Sequence, residues 1–394
     1  MSRHHYSHHV ALPIRTAEGL CALTCQPRLN GTSVSTLDDY LHHCIERGGS
    51  DLHLKAGGPA YVRIDGELKP ITQLPPLSPT DTEVYARSMM DERNTAIFEE
   101  KGEADFAHSL AGVGRFRVNA FRQRGSIGLV MRLIQAGAPS FEELGLPAVV
   151  RKLAEEHRGL VLVTGPTGSG KTTTTASMIG HINRTRRCHI VTIEDPIEVM
   201  HRDDVAIIDQ REIGVDTNDF PTALRAVSRQ DPDVIFIGEM RDLETVTAAL
   251  QAAETGHMVI STLHTTDAAE TVNRVIDMFP KEQQAQARLT LAAALKGIVC
   301  QRLAPRATGE GRVAVIEALA MTSRIQEFIS NPELTEQITD AVAEGGYYGM
   351  QTFDQHLLEL YRNGDVNLRD AMTLATNPHD FKVSLRAAGL ANAS

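Results

Sequence analysis

The stretch Leu160-Val-Leu-Val-Thr-Gly165-Pro166-Thr167-Gly168-Ser169-Gly170-Lys171-Thr172-Thr173 decides the fold. Leu160 to Val163 is a short, wholly apolar run, and Gly165 to Thr172 fits the pattern G-x-x-x-x-G-K-[ST]. A helix-compatible stretch follows, so the motif has the strand-loop-helix context that phosphate binding requires. The glycines let backbone N–H groups curl around phosphates, and a helix N-terminus favours an anion. Lys171 is expected to reach the β- and γ-phosphates, and the Thr172 hydroxyl to hold Mg²⁺. The bland alternative is a glycine-rich loop that merely turns the chain. The strand before it and the helix after it favour the nucleotide.

Downstream, His189–Ile193, Val234–Ile237 and Met258–Ile260 are further apolar runs, alternating with helical stretches. Such alternation predicts a parallel sheet covered on both faces. The run Asp233-Val-Ile-Phe-Ile-Gly-Glu239 ends in an acid where phosphate-loop proteins place the carboxylate that orders Mg²⁺. Because the acid is Glu239 and not the shorter Asp, contact through a water is expected. Thr192-Ile-Glu194-Asp195-Pro-Ile-Glu198 is a second acid-rich strand end. Hydrolysis needs a group that orients or deprotonates water, and the residues alone do not choose among these three carboxylates. His257 and His264 flank a short strand with no third ligand spaced for zinc. His264, followed by two hydroxyls, is the candidate for sensing the γ-phosphate. From about Glu282 the pattern reads as mostly helical, broken at Pro305–Gly311 and Gly345-Gly346.

Upstream the texture differs. Residues 1–33 carry His4, His5, His8 and His9 without hydrophobic period, and read as a flexible extension. Residues 34–134 read as a small α+β domain: a helix from Leu37, strands at Asp51–Lys55 and Tyr61–Ile64, one helix over Asp81–Glu100, and strands at Gly114–Asn119 and Ile127–Leu133. Gln135–Pro147, with two glycines and two prolines, reads as a linker that permits domain motion. Residues 148–380 then form the nucleotide domain, and 381–394 a tail.

Composition narrows the function. The 394 residues carry 39 Lys+Arg against 50 Asp+Glu, a net charge of −11, with 5% aromatics and no Trp. An acidic chain poor in rings is unsuited to stacking or tracking nucleic acid. No apolar run approaches the roughly 20 residues that span a bilayer, so no direct membrane insertion is expected. Five scattered cysteines without a CxxC pair predict neither a disulfide framework nor a four-cysteine zinc site. Together these point to the cytoplasm.

GPTGSGKTTT, TIEDPIE, GEMRDLET and ETGH…STLHTTDA, in this order, resemble the secretion and pilus ATPase superfamily, and within it the PilT-type retraction ATPases of type IV pili. SDLHLKAGGPAYVRIDGEL and GRFRVNAF resemble that family's N-terminal PAS-like domain. The implied fold is a RecA-like P-loop ATPase domain of α/β class, with a smaller N-terminal PAS-like α+β domain and a helical C-terminal end. The resemblance implies a homo-hexamer with ATP between subunits. It assigns Glu198 as catalytic glutamate, Glu239 as the Mg²⁺-ordering acid, and His257 and His264 as a histidine box. Arg115, Arg117 and Arg132 would face a neighbour's nucleotide, with Arg241 doing similar intersubunit work; a planar, permanent cation suits growing γ-phosphate charge. It further implies force passed to an inner-membrane pilus platform protein, with the ring peripheral to that membrane. The ending GMQTFDQHLLELYRNG is closer to the PilU-type paralogue, so an accessory ring acting with a partner ATPase ring is the alternative. A P-loop nucleic-acid translocase is a more distant one.

Overall fold

The computed structural model describes residues 35–64, 66–111 and 113–390. The N-terminal unit comprises α1 (Leu37–Glu46), β1 (Asp51–Lys55), β2 (Tyr61–Ile64), β3 (Glu67–Pro70), α2 (Pro79–Met89), α3 (Glu92–Lys101), β4 (Glu103–Leu110), β5 (Gly114–Gln123) and β6 (Ser126–Ala136). Its strands form an antiparallel sheet in the order β3-β2-β1-β6-β5-β4. Tyr40, Leu52, Phe98, Phe116 and Met131 fill one core between this sheet and the helices. The single helix expected over Asp81–Glu100 is two. Met90 takes an extended backbone, and Asp91 accepts from the Asn94 N–H to start α3; a short carboxylate at that position stabilises a new helix start better than continuation.

The second unit begins with α4 (Phe141–Leu144) and α5 (Ala148–Ala154), followed by β7 (Gly159–Thr164), α6 (Lys171–Thr185), β8 (His189–Glu194), β9 (Val199–Met200), β10 (Ile207–Glu212), α7 (Phe220–Val227), β11 (Val234–Ile237), α8 (Leu243–Glu254) and β12 (Met258–Leu263). It continues with α9 (Ala268–Asp277), α10 (Gln284–Ala294), β13 (Leu295–Pro305), β14 (Arg312–Ala320), α11 (Ser323–Ser330), α12 (Ile338–Glu344), α13 (Phe353–Asn363), α14 (Leu368–Leu374) and α15 (Pro378–Ala387). The sheet runs β10-β8-β11-β12-β7-β13-β14, parallel except for the β13–β14 pair. Along β7, Leu160 and Leu162 enter one core while Val161 and Val163 enter another. Burial on both faces is why these strands read as unbroken apolar runs. Helices α4 to α6 cover one face and α7 to α15 the other, giving the RecA-like architecture.

Three expectations are corrected. The C-terminal end is not simply helical: β13 and β14 are long strands of the central sheet. Both are covered on their faces, so they show no alternation, and the Ala-rich α10 runs into β13 without Gly or Pro to mark the change. The segment 135–147 is not free chain. Strand β6 continues to Ala136 and pairs in parallel with β9, and Ser140 caps α4, which buries Phe141. The stretch 381–394 is not a tail throughout, since α15 runs to Ala387 with Phe381 and Leu385 buried. The His-rich extension 1–33 lies outside the described residues.

Candidate active site

Ligands of open parallel sheets sit beyond the carboxyl ends of the strands, and here that rim holds a cleft of 870 Å³. Thr167, Gly168, Gly170, Lys171, Thr172 and Thr173 line it, as do Glu194, Asp195, Glu198, Glu239, Arg241 and His264. Gly170 ends the loop in a left-handed conformation and starts the 15-residue α6 without a side-chain cap. The first-turn N–H groups are therefore offered to the cleft. A Cβ on Gly165 would come within 2.4 Å of the Gln301 carbonyl oxygen, and one on Gly170 within 2.6 Å of Gln301 Nε2. Glycine is required at both positions for the loop to lie against β13. Among the described residues the buried Ser169 Oγ has no partner. This donor-rich cradle fits a nucleotide phosphate. Lys171 Nζ donates to the carbonyls of Gly165 (2.6 Å) and Pro166 (3.1 Å). Burial holds its ammonium below the usual lysine range, against the pull of Glu239 and Glu198.

The three acids after β8 separate by environment. Glu194 is buried, accepting from Thr192 Oγ1 at 2.7 Å and Gln210 Nε2 at 3.1 Å. Burial raises its carboxyl above the usual range, although the Glu198 backbone N–H also donates to it. Glu194 thus holds the turn while Glu198 stands exposed in the cleft. Beyond β11, Glu239 lies 2.8 Å from Arg241 Nη2 and 3.2 Å from His264 Nε2. Burial would raise the Glu239 carboxyl, but Arg241 and His264 outweigh it and hold it below the usual range. His264 follows β12 at the rim. The next residues are clipped to α9, with Thr265 and Thr271 hydroxyls 2.6 Å apart and Thr266 N–H donating to Glu270.

Other expected residues lie elsewhere. His257 precedes β12 and sits at the opposite edge of the sheet, where its carbonyl accepts from the Gly159 N–H and its Nδ1 lies 3.0 Å from the Ala252 carbonyl. Six residues of strand, roughly 20 Å, separate it from His264, so it does not reach the phosphate loop of its own chain. Arg115, expected to face a neighbour, is turned to its own chain and pairs with Glu212 at 3.2 Å. Arg132 is exposed but anchored by Asp51 at 2.8 Å. Arg117 is exposed, and among the described residues no ion pair holds it.

Two side chains that hold parts of the site were missed from sequence. Gln301 on β13 donates to the Ser169 carbonyl at 2.8 Å and accepts from Thr174 Oγ1 at 2.7 Å, bracing the phosphate loop from behind. Its only signal is a polar residue inside an apolar strand. Glu212, at the end of β10, gives no local signal at all.

The model for the family "Type II/IV secretion system protein" matches residues 30–373. The chain is 44% identical over 345 residues to the type IV pilus retractation ATPase PilT of Pseudomonas aeruginosa, covering 88% of this chain and 99% of that one. It is 42% identical over 349 residues to the same organism's type IV pilus ATPase PilU, covering 89% and 91%. A crystal structure of the pilus retraction motor PilT with bound ADP superposes with a TM-score of 0.81 at 47% identity, covering 88% of this chain and 98% of that one. The ATPase DotB of Legionella pneumophila reaches 0.69 at 27%, covering 88% and 97%. With the phosphate cradle, the two rim acids and His264 in place, the chain belongs to the type II/IV secretion system protein family.

Proposed function

We propose that the chain is the ATP-hydrolysing motor of type IV pilus retraction, and hence of twitching motility. The observation that carries this reading is the convergence of Lys171, Glu198, Glu239 and His264 on one rim cleft, in a chain alike over nearly its whole length to a retraction ATPase. Lys171 neutralises β/γ-phosphate charge. Glu198, the solvent-facing acid, accepts a proton from the attacking water, and Glu194 fixes its backbone. His264, tied to Glu239, reports the γ-phosphate to α9. Thr172, and Glu239 through a water, would hold Mg²⁺, which would neutralise phosphate charge.

The working unit is a homo-hexameric ring with the nucleotide between subunits, where Arg117 and Arg132 of one subunit meet the cleft of the next. Among the described residues no helix is long and apolar enough to cross a membrane. On this reading, force passes through an inner-membrane platform protein touched by a cytoplasmic ring. The near-equal identity to PilU keeps one second reading, an accessory ring that acts with a partner ATPase. A strain lacking this protein should keep its pili and fail to retract them. Bald cells, or normal retraction, would reject the motor role. Restored retraction only when a paralogue is also present would select the accessory role.

A further inference from the structure

The turn that carries Glu198 is held from a second side, by the N-terminal unit of the same chain. The end of β6 pairs with β9 directly after Glu198, Gln135 opposite Val199 and Ala136 opposite Met200. The Gly137 N–H extends this pairing to the Met200 carbonyl at 2.8 Å. The second attachment is a side chain. Glu212, 5% exposed, lies at the boundary between the two units. Its Oε2 accepts from Arg115 Nη2 at 3.2 Å and from the Ile197 N–H at 3.3 Å. Arg115 belongs to β5, and Ile197 is the residue before Glu198. A single carboxylate oxygen therefore joins the N-terminal sheet to the backbone of the acid that faces the cleft.

We propose that Glu212 is a positioning residue for Glu198, coupling the placement of the N-terminal unit to the orientation of the hydrolytic carboxylate. The physical case rests on three points. Glu212 touches neither the cleft nor any residue of the phosphate loop, so it acts only through what it holds. Its two donors come from different units, so relative movement of the units must lengthen one bond or drag Ile197. Finally, among the described residues Arg115 Nε is buried without a partner and Glu212 is the anion paired with this guanidinium. Together with the β6–β9 pairing, closure or opening of the N-terminal unit reaches Glu198 through two short links, one of backbone and one of charge. A displacement of about 1 Å at a reacting group is enough to cost up to about 100-fold in rate.

The inference rests on ATP hydrolysis at this cleft with Glu198 as the acid. The test is steady-state ATP turnover by the full chain carrying Glu212→Ala, Glu212→Gln or Arg115→Met, alone and combined. Glu212→Ala should lower kcat about tenfold and leave KM for ATP within about twofold, because misorientation of a water-activating group does not touch ground-state phosphate contacts. Glu212→Gln keeps a carbonyl oxygen for both donors but loses the charge, so its kcat should fall about threefold to fivefold, between the Ala variant and wild type. Arg115→Met with Glu212→Ala should be no worse than Glu212→Ala alone, since Arg115→Met cuts only a bond that Glu212→Ala has already removed. In a Glu198→Gln background, single-turnover hydrolysis should be insensitive to Glu212→Ala, which a merely structural role would not produce. If Glu212→Ala folds poorly, as read by its melting temperature, the isosteric Glu212→Gln decides. A kcat within about twofold of wild type in the folded variants, a double variant losing the product of the singles, or a further loss in the Glu198→Gln background would each overturn the proposal. Inactive wild type, or a fully active Glu198→Gln, would instead sink the reading of the cleft itself.

Discussion

The rim of the parallel sheet and the outer face of the N-terminal sheet both present charged side chains, but they are built differently. At the rim, each group is fixed by its own chain: Lys171 by loop carbonyls, Glu194 by Thr192 and Gln210, Glu239 by Arg241 and His264. On the N-terminal sheet, Arg117 and Arg132 stand directly opposite each other on β5 and β6. Like charges in that register repel, and among the described residues only Arg132 of the two is offset by an acid, Asp51. The difference teaches where the site ends. One chain supplies the phosphate cradle, while the arginine face is a half-neutralised pair, as the proposed role of meeting a neighbouring subunit's nucleotide would require.

The most damaging way to test the first half of that contrast is Lys171→Ala. Removing the ammonium leaves phosphate charge uncompensated, and turnover should fall by about 1000-fold or more. Near-normal hydrolysis by the purified variant would show that the rim cleft is not the site. Next in size comes the pair of acids. Glu198→Gln should bind ATP and hydrolyse it about 100-fold more slowly, because the amide keeps the shape but accepts no proton. Glu194→Gln should lose less, since its buried oxygen still accepts from Thr192. An inactive Glu194→Gln beside an active Glu198→Gln would reverse the two roles.

Much of the rim was legible in the sequence. The apolar runs at β7, β8, β11 and β12 are strands because both faces are covered, and a covered strand announces itself by composition alone. The phosphate loop is legible because its chemistry is local: eight consecutive residues supply donors, charge and conformational freedom. What stayed hidden is non-local. Gln301 and Glu212 work only because β13 lies beside β7 and β10 ends beside the turn after β8, and no spacing along the chain encodes that. Conversely, His257 and His264 look alike in sequence as flanks of one strand, yet parallel-sheet geometry sends them to opposite edges, an outcome the strand length already implies. The arginines were legible as strand-face charges, but not which of them the chain spends on itself.

The second half of the contrast is tested by mixing. If Arg117 acts across a subunit boundary as proposed, Arg117→Ala should lower turnover about tenfold without weakening ATP binding by isolated subunits. Mixing it with Lys171→Ala chains should give partial rescue, as some interfaces then combine an intact cradle with an intact arginine face. An Arg117→Ala protein fully active alone would remove that residue from the composite site.

The smallest effect expected on turnover concerns a group that belongs wholly to one chain, and so should ignore assembly. Glu317 on β14 is buried beneath the rim, and its carboxyl is pushed up to about 7. Burial is the main cause, opposed by the Ala268 N–H, which donates at 3.0 Å. Cys300 and Arg302 on β13 and Asp267 before α9 are its titratable or charged surroundings, and the Phe353 backbone N–H also lowers it. The sign follows from linkage. Below the unfolded-state value of about 4.5 the group is protonated in both states and costs nothing. Between that value and about 7 the unfolded chain ionises while the folded protein keeps the carboxyl neutral, so stability is lost, on the order of 3 kcal/mol in all; above about 7 both states are ionised and the loss is constant. Glu317→Gln carries no such charge. The stability of wild type relative to this variant should therefore fall between pH 5 and pH 8 and level off above it. Denaturant unfolding at matched subunit concentrations measures the difference. A difference that rises with pH would reverse the assignment, and one that varies with subunit concentration would place Glu317 at a boundary between subunits, against the division drawn above.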